Sequence, residues 1–160
     1  MNENIAKKFS PVGKSKVING TLTIPNASGL RLICVLASEK GEFDSPVYKL
    51  LDKKWATIKT AAKGWRQENI HFKMGNLRDC AVNSDIWVVS LLCVKKDGTL
   101  DEKALATCFK KLSQMALSDK GTVHFSSTVA DEHPQFFDMA QTQLVEKGIN
   151  VFYYVEPGTK

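Results

Sequence analysis

The sequence predicts an α/β fold in three layers, a largely parallel sheet with helices on both faces. Two segments carry the sheet. Residues 30–37 (LRLICVLA) and 86–94 (IWVVSLLCV) are nearly continuous apolar runs, as strands covered on both sides must be. Helical apolar spacing follows each of them, and alternating strands and helices build parallel sheets. A chain of 160 residues with 43% hydrophobic residues suffices for one domain with a core that needs neither disulfide nor metal.

In chain order, residues 1–15 read as a flexible basic arm and residues 16–160 as the single domain. Residues 16–24 form the first strand region, closed by Pro25 and the turn-forming Asn26-Ala27-Ser28-Gly29. After the strand at 30–37, Asp44-Ser45-Pro46 signals a helix start: a short polar side chain caps the free N–H groups, and proline suits the first helical position. Val47, Leu50, Leu51, Trp55, Ile58, Ala62 and Trp65 then recur at helical spacing, so one helix is expected up to about Gly64. Residues 67–85 hold one or two short strands, and 86–94 is the candidate central strand. Asp101 caps the next helix, whose stripe is Leu105, Cys108, Phe109, Leu112, Met115 and Ala116. Residues 122–126 (TVHFS) are a short strand, 127–133 a polar loop, and Pro134 opens a helix that Gly148 stops. Residues 150–155 (NVFYYV) are the last strand.

Several function classes fall away on composition. No apolar run approaches the roughly 20 residues of a membrane span, and the polar N-terminal segment lacks a signal-peptide core, so a cytoplasmic protein is expected. Cys34, Cys80, Cys93 and Cys108 have no metal-ligand spacing; three of them sit in apolar patterns as small hydrophobes. No metal and no cofactor is expected. His124 alternates along a strand as a core residue, and Trp55, Trp65 and Trp87 lie on apolar stripes. The net charge is +5; Lys7, Lys8, Lys14 and Lys16 crowd the N-terminal segment, and Lys49, Lys53, Lys54, Lys59, Lys63 and Arg66 fall on or after one helix. Such an excess attracts phosphates or an acidic protein. Without an Arg-rich run or a recognised motif, nucleic acid ranks below a protein partner. In open α/β sheets ligands sit at the carboxyl ends of strands, here the loops after Ala37, Val94, Ser126 and Val155.

Four stretches carry a family likeness. Residues 17–25 (VINGTLTIP) contain Gly20-Thr21-Leu22-Thr23, similar to a G-D-I-T or G-D-L-T turn with threonine for aspartate. Residues 32–55 (LICVLASEKGEFDSPVYKLLDKKW) match, without a gap, a strand, a glycine-rich loop and a helix ending near K-K-W. Residues 73–92 (KMGNLRDCAVNSDIWVVSLL) and 123–137 (VHFSSTVADEHPQFF) fit two further stretches in order. Together they resemble macrodomains, the ADP-ribose-binding family that includes Appr-1-p processing-like members. The resemblance implies that Thr21 stands where an aspartate accepts from the adenine amine; its hydroxyl accepts without the charge. Leu22 would lie beside it. Ser38 replaces the asparagine of the distal ribose, with Glu39 next to it as a possible general base. Gly41 survives from the first phosphate loop, but Asp44 and Pro46 replace later glycines, adding charge and removing an N–H. Phe43 is expected at the loop tip, free to stack on a base or a partner. In the second phosphate loop, residues 128–134 hold no glycine and two carboxylates, leaving the hydroxyls of Ser126, Ser127 and Thr128, with His133 nearby.

Three functions follow as expectations. The first is a domain binding ADP-ribose or a related nucleotide derivative through Thr21, Leu22, Ser38, Gly41, Phe43, Ser126, Ser127 and Thr128, with little or no catalysis. The second is a degenerate macrodomain serving as an interaction module for an acidic protein, a divergence expected of a phage or other mobile element. The third is an ADP-ribose 1″-phosphate phosphatase or a deacylase-type ADP-ribosyl hydrolase with Ser38 and Glu39 as catalytic residues; no adjacent histidine marks Ser38 as a nucleophile.

Overall fold

The computed structural model describes residues 13–68 and 70–157. Six strands, β1 (Ser15–Asn19), β2 (Arg31–Ser38), β3 (Leu77–Asn83), β4 (Ile86–Val94), β5 (Thr122–Ser126) and β6 (Val151–Val155), form one sheet. Its order is β1-β6-β5-β2-β4-β3, parallel except for the antiparallel β3–β4 hairpin. Around it lie α1 (Pro46–Lys54), α2 (Thr57–Gln67), α3 (Glu102–Asp119), α4 (Thr128–Glu132) and α5 (Gln135–Gln143), with a 3-10 turn at Val145–Lys147.

The period of two along each strand sorts the core into two halves. Leu32 and Cys34 of β2, with Val89, Leu91 and Cys93 of β4, face α3 and α5. Ile33, Val35 and Ala37, with Ile86, Val88 and Leu92, face α1 and α2. The three layers are therefore written in residues 30–37 and 86–94. Two caps form where their residue types predict them: Ser45 Oγ accepts from the Tyr48 N–H at 3.4 Å, and Asp101 Oδ1 from the Ala104 N–H at 3.0 Å.

The elements depart from the sequence reading in four places. The first strand ends at Asn19, and residues 21–24 make a turn in which the Ile24 N–H donates to Thr21 O. The single helix expected from Pro46 breaks at Trp55, which is extended (φ −134°, ψ 96°). The break starts α2 afresh and lets both apolar stripes lie on the same sheet face. β4 is flanked by the β3 hairpin and β2, so it stands one place from the edge, and β2 lies nearer the middle. The polar loop 127–133 is wound into α4, with Val129 buried and the His133 N–H donating to Val129 O. Of the expected arm, residues 1–12 lie outside the described residues. Gly13 and Lys14 donate to Val145 O and Asn150 Oδ1, and Ser15 begins β1.

Candidate functional site

The carboxyl ends of β2, β4 and β5 open onto a cavity of about 420 Å³. Its walls are the 38–48 segment, the turn after β4 and the start of α4. A second hollow, of about 830 Å³, lies over the ends of β5 and β6. The two adjoin at Pro46, Val47, Thr128 and Glu132, which line both, and together they are termed the trough.

The expected site residues separate into those that border the trough and those that do not. Ser38 lines the first hollow, Ser126 and Ser127 the second, and Thr128 both. Phe43 also borders the first hollow, but it is not the exposed aromatic expected. Its backbone turns left-handed (φ 50°), which puts the ring, 5% exposed, edge-on to Tyr48 at 5.5 Å and to Phe72 at 6.0 Å. Thr21, Leu22, Glu39 and Gly41 line neither hollow. Thr21 Oγ1 is bonded within its own turn to Thr23 Oγ1, and Leu22 is fully buried core. Glu39 Oε2 accepts the Lys96 N–H at 2.9 Å, which ties the turn after β4 to the end of β2. Gly41 has a left-handed backbone (φ +71°), which favours glycine there; the space beside it is taken by the flexible Arg66 side chain.

The trough also contains residues that the sequence did not single out as ligand contacts. Lys40, Lys95 and Lys96 line the first hollow together with Glu42, Asp44 and Glu132, so its formal charges balance. In the second, Leu50, Val47, Tyr153 and Val155 give an apolar wall, and Glu156 stands at one end. Glu156 Oε2 accepts the Leu22 N–H at 2.6 Å. Its place, directly after the last strand, was the available signal, because strand ends were already marked as ligand-side. Cys34 lies at the cavity floor, where burial pushes its thiol far above the usual range and keeps it protonated.

Much of the backbone at this end is already committed. The Glu39 and Gly41 N–H groups donate to Val94 O and Ser38 O, and the Lys40 N–H to Ser38 Oγ. In the second loop the Ser127 and Thr128 N–H groups donate to Tyr154 O and Ser126 Oγ. Among the described residues, no protein acceptor takes the N–H groups of Glu42, Phe43 and Asp44, all beside the cavity.

The architecture matches solved structures. A macrodomain protein from Streptomyces coelicolor superimposes with a TM-score of 0.83 at 16% identity, over 89% of this chain and 99% of that one. The chain has a macrodomain fold. A protein from Bacteroides thetaiotaomicron matches it at 0.81 and 19% identity, over 89% and 99% of the two chains. Thermosipho africanus DarTG in complex with ADP-ribose matches at 0.60 and 10% identity, over 82% of this chain and 39% of that one. No protein-family model and no curated protein matches the sequence. Within the macrodomain fold, both stretches that the sequence likeness assigned to phosphates border the same trough. Among the described residues, no helix is long and apolar enough to cross a membrane, and no cluster of three metal-ligating side chains occurs.

Proposed function

We propose that the trough binds ADP-ribose or a closely related nucleotide derivative, held without chemical turnover. The observation that carries this reading is the pair of adjoining hollows at the strand ends, which suits a ligand of two lobes joined by a narrow waist. The apolar wall of the second hollow would take the base. Glu156 would supply the carboxylate that Thr21 lacks: one oxygen holds Leu22, and the other can accept from an exocyclic amine. The Glu42, Phe43 and Asp44 N–H groups, with Lys40, Lys95 and Lys96, would meet the anionic waist. Ligand binding by the Thermosipho protein supports the reading through fold alone.

Glu42, Asp44 and Glu132 oppose a diphosphate, so modest affinity is expected. Catalysis through Ser38 and Glu39 is not proposed, because Glu39 lines neither hollow and the base that such a reaction needs does not border the ligand space.

Calorimetric titration of the full chain with ADP-ribose tests the reading. Heat of binding that Thr128→Trp abolishes and Glu156→Gln weakens by roughly tenfold is expected, the latter for a charge-assisted bond. A folded protein that takes up neither ADP-ribose nor its 1″-phosphate would end this proposal.

A further inference from the structure

Helices α1 and α2 present a charge pattern that the trough does not use. Together they hold Lys49, Lys53, Lys54, Lys59, Lys63 and Arg66 against one carboxylate, Asp52. That excess of five equals the formal net charge of +5 of the whole chain, so the rest of the protein is neutral. All six cations are exposed. Neither of the ion pairs found among the described residues, Arg31–Asp85 and Arg78–Glu68, involves them. The second pair also occupies Glu68, the acid that follows α2. Burial raises the Asp52 carboxyl above its ordinary range and the neighbouring Lys59 and Lys63 charges oppose that rise, so this half-buried carboxylate lies beside two of the six cations and offsets one charge.

The fold puts these charges on one side. Tyr48 and Leu51 of α1 and Ile58, Ala62 and Trp65 of α2 pack on the same sheet face, which leaves the lysines on the outer surface of both helices. Thr57, Thr60, Gly64 and Gln67 are exposed on a neighbouring stripe of α2. A Cβ at Gly64 would touch nothing within 4 Å, so the fold does not require a glycine at this costly mid-helix position, and a partner's backbone can approach closely there.

The composition of the face selects the partner. Protein interfaces are built around buried aromatic or aliphatic anchors and are poor in lysine. The exposed large apolar residues Val17, Ile24, Ile70, Leu117 and Phe137 all lie off these two helices. Single-stranded nucleic acid needs exposed stacking aromatics; Trp65 is core and Trp55 is half-buried against it, so neither presents a free ring face. Lysine, threonine and glutamine around a bare backbone are the groups that contact phosphates.

We propose that the outer face of α1 and α2 binds the phosphate backbone of a nucleic-acid duplex, without reading its sequence. The sequence alone ranked this option low because no motif announces it; the pooling of the entire charge excess on one face is a tertiary property. The proposal is independent of the trough.

The test is fluorescence anisotropy of a labelled DNA duplex of about 20 base pairs with the full chain, between about 50 and about 200 mM salt. For about four neutralised phosphates, affinity should fall on the order of 100-fold across that range. Lys53→Glu, Lys59→Glu and Lys63→Glu combined should weaken low-salt binding by well over tenfold and flatten the salt slope. The single Lys63→Glu, at an exposed position, should weaken it in the same direction should the triple variant not fold. Asp52→Asn should tighten it. Absence of binding at low salt, or unchanged binding by a folded charge-reversal variant, overturns the proposal. Tighter binding of polyglutamate than of duplex at equal charge concentration also overturns it, in favour of an acidic polypeptide.

Discussion

His124 is buried beneath Phe152 and Tyr154, and its hydrogen bonds assign its tautomer. The Asn26 N–H donates to Tyr154 Oη at 2.7 Å, which leaves the Tyr154 hydroxyl proton for His124 Nδ1 at 2.8 Å. Nε2 then carries the ring proton and donates to Thr122 Oγ1 at 2.7 Å. Burial, with the Arg31 charge adding to it, pulls the imidazole pKa from 6.5 down to about 3. Below the unfolded value the unfolded chain therefore holds one more proton than the native state. Stability is complete above about pH 6.5 and declines toward pH 3 at about 1.4 kcal/mol per pH unit from this group. Urea unfolding across that window should show a shallower slope in His124→Gln than in the wild type. Identical slopes would mean that His124 is not the group responsible. Gly41 depends on its backbone instead, since its left-handed conformation (φ +71°) favours glycine whatever occupies the space beside it.

Helices and strands show how local and distant forces divide the work. Ser45-Pro46 starts α1 as capping chemistry requires, yet nothing local in Trp55-Ala56 announces the break that follows. That break is settled by the sheet, which has room for two short helices with their buried stripes side by side. In α4, a stretch that reads as a polar loop is a helical turn anchored by Val129. Gly64 supplies a test of helix energetics in isolation. It lies inside α2 with open space around it, so Gly64→Ala should raise stability by about 0.5–1 kcal/mol, visible as a higher thermal midpoint. A lower midpoint would show that something occupies the space where the Cβ would stand.

The molecule as a whole is electrically lopsided, with a neutral body and five uncompensated charges on one pair of helices. Like charges at this density repel, and salt relieves the repulsion as the screening length shortens to about 10 Å near 0.1 M. The thermal midpoint should therefore rise with sodium chloride from low to moderate ionic strength. It should rise less in the triple charge-reversal variant; an equal rise in both proteins would place the repulsion elsewhere. The trough and the basic face are built from different layers of interaction. The first depends on where strand ends and returning loops meet, the second on which side of two helices faces water.

Strands 30–37, 86–94 and 122–126, both side-chain helix caps and the buried roles of His124 and Trp65 were legible in the sequence. Each depends on a pattern only a few residues long: burial on two faces, a polar oxygen ahead of free N–H groups, or alternation along a strand. Strand order likewise marked the ligand-side loops, and four of the singled-out hydroxyl residues, Ser38, Ser126, Ser127 and Thr128, stand in the trough. Periodicity could not say that Phe43 turns inward onto Tyr48 and Phe72, that Glu39 is spent on Lys96, or that Glu156 reaches Leu22. Those contacts join segments 29 to 134 residues apart where they cross the chain. Such pairings exist only once the sheet has brought the loop ends together, because a side chain's own neighbours in sequence exert no force that selects a partner so distant.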